Sequence, residues 1–254
     1  MAIQDMKWCI HKNVLHKSSS NYKLFKNLKF EKNNNIDEYL DFQESGFKYD
    51  NIQLENNKNY QIKGFFQSYK YFWDYQDEIK KYLFIDYEKI ELIKNLYNSY
   101  NKKILSIHIR LTDYEKSNNF HAIPSIEYYK QALSHYNLND YQIILFSDDI
   151  EKAKNKLAPL NLHYINADEI YTSVEDQFYM LCLSNVRVCA NSSFSLMSCY
   201  INEMYNFVDA KYFFPSNWFD INGPTYDIYD IIPINNKKYT IVNNNKCAVI
   251  FFHK

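Results

Sequence analysis

Residues 104–110 read Ile-Leu-Ser-Ile-His-Ile-Arg, and this run decides the fold class. It is dense in branched apolar residues and short, which suits a strand buried on both faces. Alternation puts His108 and Arg110 on one side of it, with Ile107 and Ile109 on the other. Downstream the pattern switches period repeatedly. Ser125–Tyr136 follows Pro124 and spaces Ile126, Tyr129 and Leu133 as a helix does. Gln142–Phe146 reads as a second strand, Ile150–Leu157 as a charged helix and His163–Ile165 as a short third strand. Val174–Leu183 reads as a helix with Phe178, Leu181 and Cys182 inward. Val186–Ala190 is a fourth strand, and Ser193–Met204 a final helix. Strands alternating with helices of this length predict an α/β fold with a parallel sheet. In such sheets ligands sit at the carboxyl ends of strands, near helix N-termini.

Upstream of about Tyr100 the pattern is broken by asparagine clusters at Asn33–Asn35 and Asn56–Asn57. Only a short apolar run, Gln61–Phe66, and a helix-like stretch, Tyr75–Phe84, stand out. The expected division is an N-terminal lobe over residues 1–100 and a C-terminal lobe over 101–254.

Composition narrows the class. With 46% hydrophobic and 23% charged residues the 254-residue chain is neither disordered nor fibrous. Its 29 basic and 30 acidic residues leave no footprint for nonspecific nucleic-acid binding. Five cysteines, an odd number without zinc spacing, argue against a disulfide framework or structural metal and for reduced thiols. Met1–Lys17 lacks a signal-peptide apolar core, and no run approaches the ~18 apolar residues of a membrane span. The expected location is cytoplasmic, in solution or peripheral to a membrane. In that setting Asn191, in an Asn-Ser-Ser sequon, reads as a site residue rather than a glycan acceptor.

Three polar clusters fall at predicted strand ends. His108-Ile109-Arg110-Leu111-Thr112-Asp113-Tyr114 ends the first strand. Its guanidinium suits a phosphate through paired, charge-assisted hydrogen bonds, and equally suits a clasp with Asp113. Ser147-Asp148-Asp149 ends the second. Ser147 or Asp148 is an ordinary helix cap, and a carboxylate here also matches the adjacent N1–H and N2 donors of guanine. Glu175-Asp176, with Asn191-Ser192-Ser193-Phe194-Ser195 opening the last helix, forms the third. Helix-start N–H groups and hydroxyls make an anion site, or simply a cap. Asp148 and Asp149 are adjacent rather than spaced, so no D-x-D metal signature is present.

Taken together these motifs resemble the α-1,2-fucosyltransferases of glycosyltransferase family 11. Glu175-Asp176-x-x-x-Met180, Asn191-Ser192-Ser193-Phe194-Ser195 and Tyr200-Ile201-Asn202 are similar to E-D-x-x-x-M, N-S-S-F-S and L-N of that family. His108-x-Arg110-x-x-Asp113-Tyr114 resembles H-x-R-R-G-D-Y. Phe146-Ser147-Asp148-Asp149-Ile150 and Tyr128-Tyr129-Lys130-Gln131-Ala132 resemble F-S-D-D-I and Y-Y-x-x-A. Gly64-Phe65-Phe66-Gln67-Ser68 with Tyr71-Phe72 resembles G-Y-F-Q-S-x-x-Y-F, and Pro215-x-x-Trp218-Phe219 has a counterpart. Their order and spacing, over about 60–220, exceed what one expression matches by chance.

The resemblance implies a GT-B-like fold of two Rossmann-like lobes with parallel sheets. It implies metal-independent, cofactor-free, inverting transfer of fucose from GDP-fucose to the 2-hydroxyl of a galactose in a glycan. By position it assigns Arg110 and Asp113 to catalysis. It places His108, Arg110, Asp148, Asp149, Glu175, Asp176, Asn191, Ser192, Ser193, Phe194 and Ser195 around the donor. Glu115 is the other carboxylate near Arg110. Three departures stand out. The family's glycine-rich G-x-x-G-N-Q strand and loop has no counterpart, so the N-terminal, acceptor-side lobe is expected to be shortened. The second arginine is Leu111, and the tandem tryptophans are Leu196-Met197. Two rivals stay open here: a same-fold enzyme using another nucleotide sugar, and a binding module without turnover.

Overall fold

The structure, a computed structural model, describes residues 40–55, 58–116 and 120–243. The expectations about Met1–Lys17, Asn33–Asn35, Asn56–Asn57, Cys9 and Cys247 lie outside the described residues. The chain divides into two compact units. One takes in the chain up to Asp86 together with Thr225–Ile231, and the other runs Tyr87–Pro224 and resumes at Ile232.

Among the described residues the first unit has a two-stranded parallel sheet, β1 (Leu40–Gln43) with β2 (Tyr60–Lys63). The expected apolar run Gln61–Phe66 thus yields a shorter strand and a turn. Buried Glu44, just after β1, makes that turn. Its Oε2 accepts the N–H groups of Phe65 at 2.6 Å and Phe66 at 2.9 Å, and its Oε1 the Tyr71 hydroxyl at 3.1 Å. Gly64 sits so close that a Cβ would lie 2.5 Å from Glu44 Cβ. Phe66 holds the left-handed conformation, φ 47°, which costs a bulky residue about 1–3 kcal/mol. The helix expected over Tyr75–Phe84 is a 3-10 turn, Trp73–Tyr75, then one short helix, Gln76–Lys80. Asp230 stitches the returning segment in place: it accepts from Tyr49 N–H at 2.9 Å and pairs with Lys70, while Ser68 Oγ donates to its carbonyl at 2.7 Å.

The second unit is an all-parallel six-stranded sheet. Its strands are β3 (Lys103–Ile109), β4 (Tyr141–Ser147), β5 (Ile165–Asn166), β6 (Val186–Val188), β7 (Lys211–Pro215) and β8 (Tyr239–Val242). Their spatial order is β5-β4-β3-β6-β7-β8. Counted from β3 this is 3-2-1-4-5-6, the order of the doubly wound dinucleotide-binding fold, whose direction of growth reverses between β3 and β6. The core is what the sequence predicts for strands covered on both faces. Leu105, Ile107 and Ile109 are fully buried against Tyr128, Tyr129, Ala132, Leu145 and Val188. Tyr128 also reaches across, its hydroxyl 2.7 Å from the carbonyls of both Cys189 and Phe213.

Helices connect the strands: Ile126–Leu133, Ile150–Leu157, Val174–Cys182 and Ser193–Tyr205. The sequence reading did not anticipate a further helix, Tyr87–Ser99, which buries Ile90, Ile93 and Tyr97 on one face. It is fastened to the Val174–Cys182 helix, with the Tyr97 hydroxyl donating to Met180 carbonyl at 3.0 Å and Lys89 paired with Asp176. Phe178, expected inward, is half-buried; Tyr179 and Met180 take the core positions. No helix among the described residues is long and apolar enough to cross a membrane. Cys182, Cys189 and Cys199 are buried free thiols.

Candidate functional site

At the reversal point the carboxyl ends of β3, β4 and β6 deliver the three polar clusters together, all within the second unit. β3 hands over His108 and Arg110, β4 Ser147 and Asp148, and β6 leads through Ala190 into Asn191 and Ser192.

Arg110 points its Nε into two carboxylates: 2.7 Å to Asp113 Oδ1 and 3.3 Å to Asp148 Oδ2. The clasp with Asp113 therefore exists, but it uses Nε alone. Neither terminal guanidinium nitrogen has a bond among the described residues, and 36% of the side chain is exposed. The fork is open while its base is fixed.

Asp148 is the organiser of this loop. Its Oδ1 accepts the Leu111 N–H at 2.9 Å; its Oδ2 accepts the Thr112 N–H at 3.1 Å and the Thr112 hydroxyl. Burial alone would raise its pKa. The Thr112 hydroxyl, the Leu111 N–H and the charge of Arg110 outweigh that and hold the carboxyl below its ordinary value. The carboxylate expected at a guanine is, in this structure, spent on the backbone entering the short Thr112–Lys116 helix. Asp149, grouped with it as donor-binding, is the N-cap of Ile150–Leu157 and accepts from Lys152 N–H at 3.1 Å. The cap thus falls one residue after Asp148 and two after Ser147. Glu115 pairs with Lys152 at 2.5 Å.

His108 is buried with Nδ1 2.5 Å from Ser195 Oγ. Burial, reinforced by Arg110 and opposed by Asp148, pushes its pKa down to about 4, so the ring is neutral at pH 7. Its face meets Phe194 at 5.6 Å between ring centroids, and Phe194 meets Phe178 at 5.5 Å.

Ser192 is the N-cap of Ser193–Tyr205, its Oγ accepting the Phe194 N–H at 3.3 Å. The other first-turn N–H groups have no partner within a helix by construction. Ser193 is exposed and Phe194 half-buried at that open end. Asn191 is fully buried and ties two loops to the helix start: Nδ2 donates to the carbonyls of Ala122 at 2.8 Å and Trp218 at 2.6 Å. Asp176 is buried and paired with Lys89, and Glu175 is half-buried on the same helix. Asn202 closes the far end of the Ser193–Tyr205 helix through Val208 and Tyr212, a structural task.

Two aromatic neighbours escaped the sequence reading. Tyr114 donates to Asn191 carbonyl at 2.7 Å. His121 stacks on Tyr114 at 4.2 Å, and its pKa is lowered by burial, with Asp113 and Arg110 acting on it in opposite senses. Their signal was faint, since Tyr114 belongs to a quoted motif but His121 stands alone in Phe120-His121-Ala122. Among the described residues no cluster of three or more His, Cys, Asp or Glu side chains is placed to hold a metal.

Comparison with known proteins bears on this site. No curated protein matches the chain. Among solved structures, the fucosyltransferase NodZ from Bradyrhizobium is similar at 14% identity and a TM-score of 0.38. That alignment covers 58% of this chain and 53% of that one, so the chain spans about half of that enzyme's length. The family profile described as Glycosyl transferase family 11 matches residues 5–222, which takes in every motif quoted above and extends well upstream of them. The chain belongs to glycosyl transferase family 11.

Proposed function

We propose that this glycosyltransferase moves fucose from GDP-fucose to the 2-hydroxyl of a galactose in a glycan, with inversion and without a metal. One observation carries the donor half of the proposal. An arginine with a fixed base and an open fork stands beside the first turn of a helix in which Ser192 caps the Phe194 N–H alone, on adjacent strand ends at the reversal of a doubly wound sheet. Diphosphate is the ligand class that rewards this pairing of a planar cation with helix-start N–H groups.

In the reaction, the bond between the fucosyl anomeric carbon and the β-phosphate oxygen breaks as the acceptor oxygen bonds the opposite face. Charge grows on the leaving diphosphate. Arg110 and the N–H groups of Ser193 and Ser195 meet that charge, so they stabilise the transition state more than the ground state. Asp148 and Asp113 hold Arg110 in place. With Oδ1 on Arg110, Asp113 has Oδ2 to take the proton of the acceptor hydroxyl. Neutral His108, braced by Ser195, borders the nucleoside with Phe194.

A second reading has its own observation. Both oxygens of Asp148 are already engaged, which leaves the base of the nucleotide open and favours a same-fold enzyme with another nucleotide sugar. One titration separates them: GDP, UDP and ADP binding in EDTA, followed by hydrolysis of GDP-fucose without acceptor. GDP binding tightest, with turnover, supports fucosyl transfer. UDP competing equally, or a requirement for Mn²⁺, sinks it.

A further inference from the structure

The Gly64-Phe65-Phe66-Gln67-Ser68 motif takes no part in the donor site, yet its turn is built with unusual care. A buried carboxylate, Glu44, holds two successive N–H groups of the turn. Gly64 has no room for a side chain, and Phe66 accepts a left-handed backbone, φ 47°. Phe66 itself turns inward, its ring 5.3 Å from Tyr71. What the turn displays is Phe65, 67% exposed. Its ring stacks on Phe47 at 4.6 Å with 24° between planes. Strain and a clamp spent on presenting an apolar ring to solvent are costs that folding alone does not explain.

We propose that Phe65, backed by Phe47, is a platform for a pyranose ring of the acceptor, a galactose-type ring in particular. The inference rests on the glycosyl-transfer reading for its ligand class. An aromatic face carries negative charge density and attracts the weakly positive C–H bonds of an apolar surface. A galactopyranose offers such a surface, because its axial 4-hydroxyl leaves the C3, C4 and C5 hydrogens on one open face. The stacked pair of Phe65 and Phe47 is two rings, which suits a sugar; a stable protein partner needs roughly 800 Å² on each side. Its surroundings are polar, with Ser45 Oγ donating to Asp50 at 2.7 Å on the segment that carries Phe47. These are groups of the kind that bind sugar hydroxyls.

The test uses the whole protein. Phe65→Trp puts an indole on the platform, and lactose and cellobiose are titrated against its emission, with wild type as the blank for the native tryptophans. The two sugars differ at the terminal ring only in the 4-hydroxyl. Calorimetric titration of lactose into wild type and Phe65→Ala runs alongside, with GDP titration and thermal melting of each variant as controls. We expect a saturable response to lactose, a weaker one to cellobiose, and about tenfold weaker lactose binding in Phe65→Ala. Equal lactose affinity in wild type and Phe65→Ala overturns the proposal, as does no lactose response in protein that binds GDP. Lactose bound through Phe65 in protein that ignores GDP upholds the platform and sinks the donor reading instead.

Discussion

Asp148→Asn separates the two tasks that position 148 can perform. In the structure the carboxylate receives two backbone N–H groups, at 2.9 and 3.1 Å, and the Thr112 hydroxyl, and lies 3.3 Å from Arg110 Nε. An amide keeps one acceptor oxygen and turns an NH₂ toward the other N–H. One half-buried donor then loses its partner, which costs about 1–3 kcal/mol. The lost attraction to Arg110 adds little, since that guanidinium is partly exposed and such pairs are worth roughly 0–1 kcal/mol. For a domain of this size the sum lowers Tm by about 2–16 °C. Donor turnover falls with it, because the loop being loosened carries Arg110. The measurements are thermal and urea unfolding of both proteins, then GDP and UDP titration. If Asp148→Asn melts with wild type yet loses its preference for GDP over UDP, the carboxylate reads the base directly and the loop argument is wrong. Acid gives a second check. A carboxyl with a depressed pKa stabilises the fold above its ordinary value of about 3.8, and that contribution disappears as pH falls through the lower folded value. Wild type should therefore lose more stability than Asp148→Asn between pH 5 and the acid limit.

Arg110→Lys keeps the charge but removes both the Nε held by Asp113 and the fork, so donor hydrolysis should drop at least about tenfold, or ~1.4 kcal/mol, with little change in melting; equal rates would reduce Arg110 to a clasp. His108 stays neutral in the fold down to about pH 4, whereas the unfolded chain takes up that proton near 6.5. Stability from this group is therefore full above about pH 6.5 and lost progressively toward pH 4, and urea unfolding at pH 7 and 5 should show a smaller drop in His108→Gln than in wild type. Gly64→Ala drives a methyl to within 2.5 Å of Glu44 Cβ; overpacking of this kind costs about 1–3 kcal/mol, and an unchanged melting curve would show that the turn yields freely.

Much of the second unit was legible because its signals are local. The branched run at Ile104–Ile109, the shift to helical spacing after Pro124 and the Ser-rich start at Ser192 each state their own element. The strands Lys211–Pro215 and Tyr239–Val242 were not, since each is short and draws its pairing from a neighbour rather than from its own period. Tyr87–Ser99 was hidden by polar residues filling the spaces between Ile90, Ile93 and Tyr97. At the site, residue types were readable but allegiances were not. Nothing local in Ser147-Asp148-Asp149 says that the first aspartate bonds backbone 36 and 37 residues earlier while the second caps the helix. Those choices are made by which strand lies next to which.

The returning segment Thr225–Ile231 bears on how the protein is made. Asp230 completes the first unit by bonding Tyr49 and Lys70, partners 181 and 160 residues earlier in the chain. A ribosome adding about 5–20 residues per second reaches it roughly 8–36 seconds after it has added those partners. For that interval the N-terminal half waits on the tunnel without its last fastening, while the doubly wound sheet is still being supplied with strands. Vectorial synthesis therefore favours settling the sheet's early strands first and closing the N-terminal unit late, and it is in that interval that a chaperone would find this chain.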